Sequence, residues 1–374
     1  MKNIMFYVVV LLMLCLQLAS SKPYNKSESS ELVFAHVIFR HGQRNPLITY
    51  PNDPWKDEEQ FWKEGYGQLI NAGKQQHYEL GKYLRKRYMA LLENGSYSPK
   101  IVYIQSTDVD RTLMSAASNL AGFFPPKGDQ IWKDDLLWQP IPIHTIPTSL
   151  DYVLNAEAPC PRYEQALKRY EQTPEYQNIF IKYKWLFEYL ENNTGMPIST
   201  LIDVQYLNDA LWIQNITNKA LPEWTKKVFI PGGDMEKLSN ICYTTNTSTP
   251  ELARLKAGFL FREILDRFDD KIESNLDPNR NLWLYSAHDS TIASFLNSIG
   301  LFELHTPPYA ASLMIELYKE NDAFYFQIFY RKSNDDILSP LHIPKCGQKC
   351  SIRKFRDAYK EIIPTDSYEK ECGL

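Results

Sequence analysis

The chain has 374 residues, 44% of them hydrophobic and 13% aromatic, which supplies apolar material for one large or two modest cores and excludes an intrinsically disordered protein. Its formal net charge is -4, with acidic and basic residues mixed along the whole length. That leaves no basic field for a nucleic-acid backbone or an anionic membrane, so any recognition of phosphate has to be local.

Lys2 precedes an apolar run over residues 4–18 and the small residues Ala19, Ser20 and Ser21, the layout of a cleavable signal peptide spanning residues 1–21. A membrane anchor would want about 20 apolar residues, more than this run provides. No later stretch is apolar enough to span a bilayer, and residues 359–374 are polar and charged, so the mature chain is expected to be secreted, with the lysosomal lumen as the second expectation. Asn25, Asn94, Asn192, Asn215 and Asn246 each open an Asn-x-Ser/Thr acceptor site for glycosylation, in agreement with that route. Removal of residues 1–21 leaves Cys160, Cys242, Cys346, Cys350 and Cys372, an odd number in a disulfide-permissive compartment. Cys346 and Cys350 have no second ligand pair nearby to complete a metal knuckle, and a local disulfide is the better reading.

Residues 31–39 are an almost continuous apolar run, which predicts a strand buried on both faces that stops at Arg40-His41-Gly42. After a loop rich in Pro and Trp, residues 67–92 place Leu69, Ala72, Tyr83, Leu84, Tyr88 and Leu91 at mainly helical spacings. Residues 100–105 predict a second buried strand, and Thr107-Asp-Val-Asp110 has the form of a capping box opening a helix over 111–121. Residues 137–147 read as a strand and 161–190 as helical. A helix over 251–272, a strand over 281–287, a short helix over 290–298 and paired strands near 312–318 and 323–330 complete the pattern. Alternating strands and helices predict an α/β fold with a doubly wound, mostly parallel sheet, helices on both faces and an antiparallel hairpin at one edge. Residues 22–150 and 251–374 are expected to build that core, with 151–250 inserted as a smaller helical cap.

Two segments leave apolar strands abruptly. Arg40-His41-Gly42-Gln43-Arg44-Asn45-Pro46 follows the first strand, so its side chains emerge at the carboxyl edge where open α/β sheets bind ligands. Two guanidiniums flank an imidazole there; Arg offers forked donors that match phosphate oxygens and stays charged at any working pH. Gly42 removes side-chain bulk so that the backbone can approach a ligand, and Pro46 stiffens the exit from the turn. A plain basic surface loop would show the same residues. Ser286-Ala287-His288-Asp289-Ser290-Thr291 follows the strand of 282–285 and opens a helix, whose N-terminus offers N–H donors and positive dipole density to an anion. An N-cap role alone would also explain Asp289. Arg111 stands in the first turn of a third helix, where the dipole disfavours a cation unless an anion binds nearby. Taken together, three strand-to-helix junctions bring Arg40, His41, Arg44, Arg111, His288 and Asp289 to one sheet edge, a coincidence that the separate explanations leave unexplained.

The pattern Arg40-His41-Gly42-x-Arg44-x-Pro46 with a distant His288-Asp289 resembles the histidine acid phosphatases. Residues 76–88 and the segment Ser106-Thr-Asp-Val-Asp-Arg-Thr-Leu-Met-Ser-Ala116 are similar to the prostatic and lysosomal acid phosphatases of animals, and the chain as a whole to insect venom acid phosphatases. The resemblance covers nearly all of the mature chain. It implies His41 as nucleophile, Arg40, Arg44, Arg111 and His288 as phosphate ligands, Asp289 as proton donor, phosphate monoesters as substrates, no cofactor or metal, and a homodimer. It also implies disulfides Cys160–Cys372 and Cys346–Cys350. The family's third bridge is missing, since Ile213 and the region of Ser312 stand where cysteines are expected, which leaves Cys242 over.

The chemistry agrees with the resemblance. A neutral imidazole can attack phosphorus if neighbouring cations keep its pKa low and spread the charge of the transferring group. An alkoxide leaving group needs a proton, which an Asp with a pKa of about 3.9 gives only in acid. Two rivals compete: a narrower enzyme such as a phytase or a lysophosphatidate phosphatase, and a non-catalytic glycoprotein that binds phosphate-bearing ligands. Residues 151–250 hold nine Lys or Arg against twelve Asp or Glu, no surplus for inositol polyphosphates, and an intact His41 and Asp289 weigh against the second rival.

Overall fold

Residues 30–374 are described by the computed structural model; the predicted signal segment and Asn25 lie outside them. The apolar run at the start forms β1 (Glu31–Arg40), and the side chains alternate between two cores as strand geometry requires. Ala35, Val37 and Phe39 face one cluster, Phe34 and Ile38 the other. The remaining strands are β2 (Val102–Thr107), β3 (His144–Ile146), β4 (Leu282–Ala287), β5 (Ser312–Glu320) and β6 (Ala323–Arg331), in the spatial order β3-β2-β4-β1-β5-β6. β3, β2, β4 and β1 run parallel, while β5 runs antiparallel to β1 and forms a hairpin with β6. The fold is therefore α/β with a mostly parallel sheet and an antiparallel edge.

On the first face pack α1 (Asn71–Arg87) and α2 (Asp110–Phe123), through Leu80, Leu84, Ala116, Leu120 and Phe123. The two helices approach closely: a Cβ on Gly81 would strike the Asn119 carbonyl, and one on Gly122 the Tyr78 carbonyl. Between β3 and β4 the chain is helical, with α3 (Pro161–Glu171), α4 (Pro174–Lys182), α5 (Lys184–Thr194), α6 (Leu201–Ile216), α7 (Asp234–Thr245), α8 (Pro250–Lys256) and α9 (Gly258–Ile272). α5, α6 and α7 share an apolar cluster of their own built on Leu186, Leu190, Val204, Leu207, Met235 and Leu238. The second sheet face is covered by α9, α10 (Asp289–Ser298) and α11 (Ile352–Ala358), using Phe261, Leu265, Phe268, Phe295 and Phe355. The chain ends in α12 (Tyr368–Cys372), where Cys372 is bridged to Cys160; Cys346 is bridged to Cys350, and Cys242 is the cysteine left without a bridge among the described residues.

Four local expectations are corrected. The helix expected over 67–92 begins only at Asn71 because residues 67–70 clasp the loop after β1: Asn45 donates to the Gln68 carbonyl (3.0 Å), Gly67 to Pro46 (2.8 Å) and Ile70 to Gln43 (3.1 Å). The capping box at Thr107 does not form. Thr107 ends β2, its hydroxyl bonds Thr112 and His288, and α2 starts after Val109 with no side-chain cap. The strand expected over 137–147 shrinks to β3, since Pro140, Pro142 and Pro147 withhold ladder donors. The helix expected over 251–272 breaks at Ala257, where the absent Cβ of Gly258 makes room for the Ile362 carbonyl.

His36 lies wholly buried on the second face, stacked on Tyr285 at 5.9 Å and touching Phe34 and Phe268, and neither ring nitrogen has a partner. Burial, and then the Arg267 charge, push its pKa well below the ordinary imidazole value. Between that lowered value and about 6.5 the unfolded chain binds a proton that the folded chain refuses, so stability falls as pH falls through this window. The His36→Phe variant is expected to lose less stability on acidification, with a slope shallower by up to about 1.4 kcal/mol per pH unit below pH 6.5. Urea unfolding at a series of pH values measures it; parallel pH profiles would refute the assignment.

Candidate active site

The parallel register sets the ends of β1 and β4 side by side, with Arg40 opposite Ala287, and β2 ends beside β4 with Ser106 opposite Ser286. The residues that follow these ends therefore converge. His41 donates its backbone N–H to the Ala287 carbonyl (3.0 Å), directly before His288 and Asp289. Arg40, His41, Arg44 and His288 are all buried.

The loop after β1 is fixed by close backbone approach. A Cβ on Gly42 would fall on the backbone of Gly73, and one on Gly73 on that of Gln43, so the two glycines let α1 lie against the loop. The space left by Gly42 is thus taken by a helix, not by a ligand as its sequence position suggested. Gly42 N–H donates to Ser115 Oγ (3.0 Å) and Gln43 N–H to Gln76 Oε1 (2.9 Å). His77 Nε2 donates to the Arg40 carbonyl (3.0 Å), tying the same helix to the strand end.

His41 Nδ1 lies 2.8 Å from the Gly42 carbonyl. A carbonyl only accepts, so the proton sits on Nδ1 and the lone pair is left on Nε2. Burial first, then the charges of Arg40, Arg44 and Arg111 and the His288 ring, hold the His41 pKa well below the ordinary imidazole value, and the ring is neutral. The His288 ring stands 5.8 Å away; its Nε2 bonds the Thr107 hydroxyl (3.0 Å), and burial followed by Arg111 lowers its pKa to about 3.

Counter-charges come from two directions. Arg40 Nη2 pairs with Asp289 Oδ2 at 2.8 Å, its Nη1 donates to the Pro307 carbonyl, and its guanidinium lies 4.2 Å from the Tyr309 ring centroid. Arg44 Nη1 pairs with Asp209 Oδ2 on α6 at 2.9 Å. Arg111, in the first turn of α2, is pushed down to about 10 by burial and then by Arg44. Asp289 is the first residue of α10, after His288 at the N-cap; its Oδ1 accepts from Ser290 N–H (2.7 Å) and its Oδ2 from the Tyr243 hydroxyl on α7 (3.1 Å). Burial alone would push the Asp289 pKa up, but Arg40, Arg44, His288 and the Ser290 N–H outweigh it and hold the carboxyl below the ordinary range.

Among the described residues, four of the thirteen buried side-chain polar atoms without a partner belong to this cluster: Arg40 Nε, Arg44 Nε, Arg111 Nε and the Tyr309 hydroxyl. Unmatched buried donors mark a place where a partner is missing, and a cluster of them among three guanidiniums fits an anion. Sequence reasoning found Arg40, His41, Arg44, Arg111, His288 and Asp289. It missed Asp209 and Tyr243, which reach the site from helices remote in sequence, and Tyr309, whose signal is that an antiparallel strand begins at the edge where parallel strands end. Asn94, Asn192 and Asn215 are exposed, whereas Asn246 is half-buried with Oδ1 accepting from Tyr163.

The chain is 37% identical to prostatic acid phosphatase of Rattus norvegicus over 348 residues, covering 92% of this chain and 90% of that protein. It is equally 37% identical to lysosomal acid phosphatase of Xenopus laevis over 349 residues, covering 92% and 80%. Among solved structures the Citrobacter braakii phytase superposes with a TM-score of 0.66 at 18% identity, covering 91% of this chain and 99% of that one, which shows the shared fold. The family model of the histidine phosphatase superfamily (branch 2) matches residues 31–331, so the chain belongs to that superfamily branch.

Proposed function

We propose that this chain is an acid phosphatase that hydrolyses phosphate monoesters through a covalent phosphohistidine on His41 Nε2. The observation that carries the reading is the imidazole whose proton is pinned on Nδ1, so that an unprotonated Nε2 sits among Arg40, Arg44, Arg111 and His288. The acid phosphatase names of the relatives support it. In the first step the Nε2 lone pair attacks phosphorus and the P–O bond to the alcohol breaks, with the three guanidiniums and His288 holding the phosphoryl oxygens. The leaving oxygen takes a proton from Asp289. In the second step Asp289 removes a proton from water, the water oxygen bonds phosphorus and the N–P bond breaks, releasing inorganic phosphate and neutral His41.

Asp289 is held as a carboxylate in the free enzyme, so its proton has to arrive with the substrate. A phosphate monoester has a second pKa near about 6, and its monoanion brings one proton into a site where the added negative charge raises the carboxyl's affinity for it. Acid activity then follows from the substrate's ionisation. Residues 151–250 act as a cap in this reading, and their balance of nine basic against twelve acidic residues argues against inositol polyphosphates as the preferred substrate.

Secretion, or delivery to the lysosomal lumen, is supported by the leading apolar run, the two bridges and the exposed acceptor sites Asn94, Asn192 and Asn215. No helix among the described residues is long and apolar enough to cross a membrane. A homodimer is supported by the stretch of chain around the edge strand β3, which is only three residues long and in which Ile131, Trp132, Leu136, Leu137, Trp138 and Leu150 are all exposed. A Leu137→Asp variant is expected to shift the sedimenting species from dimer toward monomer; a wild type that sediments as a monomer would refute the dimer.

Hydrolysis of p-nitrophenyl phosphate between pH 4 and 8 with chelator present tests the main reading. Activity should peak in acid, decline above about pH 6, and fall by about 10³-fold or more in His41→Ala. A wild type that binds phosphate without turning over would favour the non-catalytic glycoprotein. Asp289→Asn should lose about 10²- to 10⁴-fold on alkyl phosphates and markedly less on nitrophenyl phosphate, whose leaving group needs no proton. Equal losses on both substrates would remove Asp289 from the proton-donor role.

A further inference from the structure

Tyr309 borders the site beside Arg40 and His41 and takes no part in the scheme above. It precedes β5, in Pro307-Pro308-Tyr309, where the Pro307 carbonyl accepts from Arg40. Its ring packs against the Arg40 guanidinium at 4.2 Å and stands 5.9 Å from the His41 ring. The ring is partly exposed, yet the hydroxyl oxygen is buried and has no partner. The charges nearest in effect to that hydroxyl are Asp209, Arg44, Arg40 and Asp289, in that order.

Ring packing on Arg40 needs no hydroxyl, since phenylalanine would pack as well. Burying a hydroxyl with no partner is unfavourable, so its presence there points to a partner absent from the free protein. Arg40 Nε, Arg44 Nε and Arg111 Nε, on side chains of the same site, are likewise buried and unmatched. Burial, and then Asp209, push the Tyr309 pKa up to about 12, so the group is a donor throughout the working range.

We propose that the Tyr309 hydroxyl donates a hydrogen bond to a nonbridging phosphoryl oxygen of the bound ester, on the Arg44 side of the site. The inference rests on the phosphatase reading and adds a neutral donor to its cationic ones. The neutral donor gains strength as negative charge accumulates on the transferring group, because a hydrogen bond to an ionised acceptor is about twice as strong as one between neutral groups. Asp209 is the charge that weighs most on the hydroxyl, although no hydrogen bond joins the two in the free protein.

Tyr309→Phe keeps the ring over Arg40 and removes the donor alone. The inhibition constants for inorganic phosphate and orthovanadate should rise about 10- to 100-fold and kcat/KM for p-nitrophenyl phosphate should fall by a similar factor, while the melting temperature of the free enzyme stays the same or rises. The same loss should persist in an Asp209→Asn background. Unchanged phosphate and orthovanadate affinities would overturn the proposal, as would a loss that disappears once Asp209 is neutralised, since the hydroxyl would then serve only that carboxylate. A fall in melting temperature with unchanged affinities would make Tyr309 a packing residue. Titration of phosphate into wild type and variant needs no turnover, so it decides the role of Tyr309 even if His41→Ala were to refute the covalent mechanism.

Discussion

Three guanidiniums and two imidazoles gathered at one sheet edge set the constraint on which the rest of this molecule depends. Arg40, Arg44 and Arg111 repel one another, and burial strengthens the repulsion because little water remains to screen it. Among the described residues only two carboxylates, Asp289 and Asp209, stand against them by direct contact, and each pairs with a different arginine. The imidazoles respond by staying neutral, which removes two further charges from the cluster. The resulting excess of positive charge is what a phosphoryl group would neutralise.

Keeping such a cluster together requires a rigid frame, and the frame is built from backbone more than from side chains. His77 holds the Arg40 carbonyl, Ser115 the Gly42 N–H, and residues 67–70 clasp the loop that carries Arg44. The paired glycines 42 and 73, and 81 and 122, let α1 sit close enough to both the loop and α2 to make those contacts. The remaining support comes from above, where α6 and α7 supply Asp209 and Tyr243. The sheet edge and the helices α6 and α7 are therefore joined through ion pairs and hydrogen bonds that meet at Arg40, Arg44 and Asp289.

The buried strands and the strand-edge motifs were legible because each stated its physics locally. An uninterrupted apolar run ending at Arg40-His41 says both that the strand is buried and that its polar continuation lies at the sheet edge. The expected capping box at Thr107 failed for an equally physical reason: the same residue pattern serves a buried hydroxyl network, and burial decides between the two. The start of α1 was misplaced because residues 67–70 answer to a loop more than twenty residues earlier. Asp209 and Tyr243 carry no local mark at all, since what makes them part of the site is distance in space, and a single sequence does not display it.

The bridge between Cys160 and Cys372 encloses 212 residues of sequence separation, including α6, α7, β4, α10 and the hairpin of β5 and β6. Asp209, Tyr243, His288, Asp289 and Tyr309 all lie inside that covalent ring. A protease that cuts the backbone once anywhere between the two cysteines leaves fragments that remain tethered, each packed against the sheet it folded with. Such a nicked molecule keeps its mass on a non-reducing gel and separates only when thiol is added. An exposed turn within the ring is thus a place where the chain can be severed without the site coming apart.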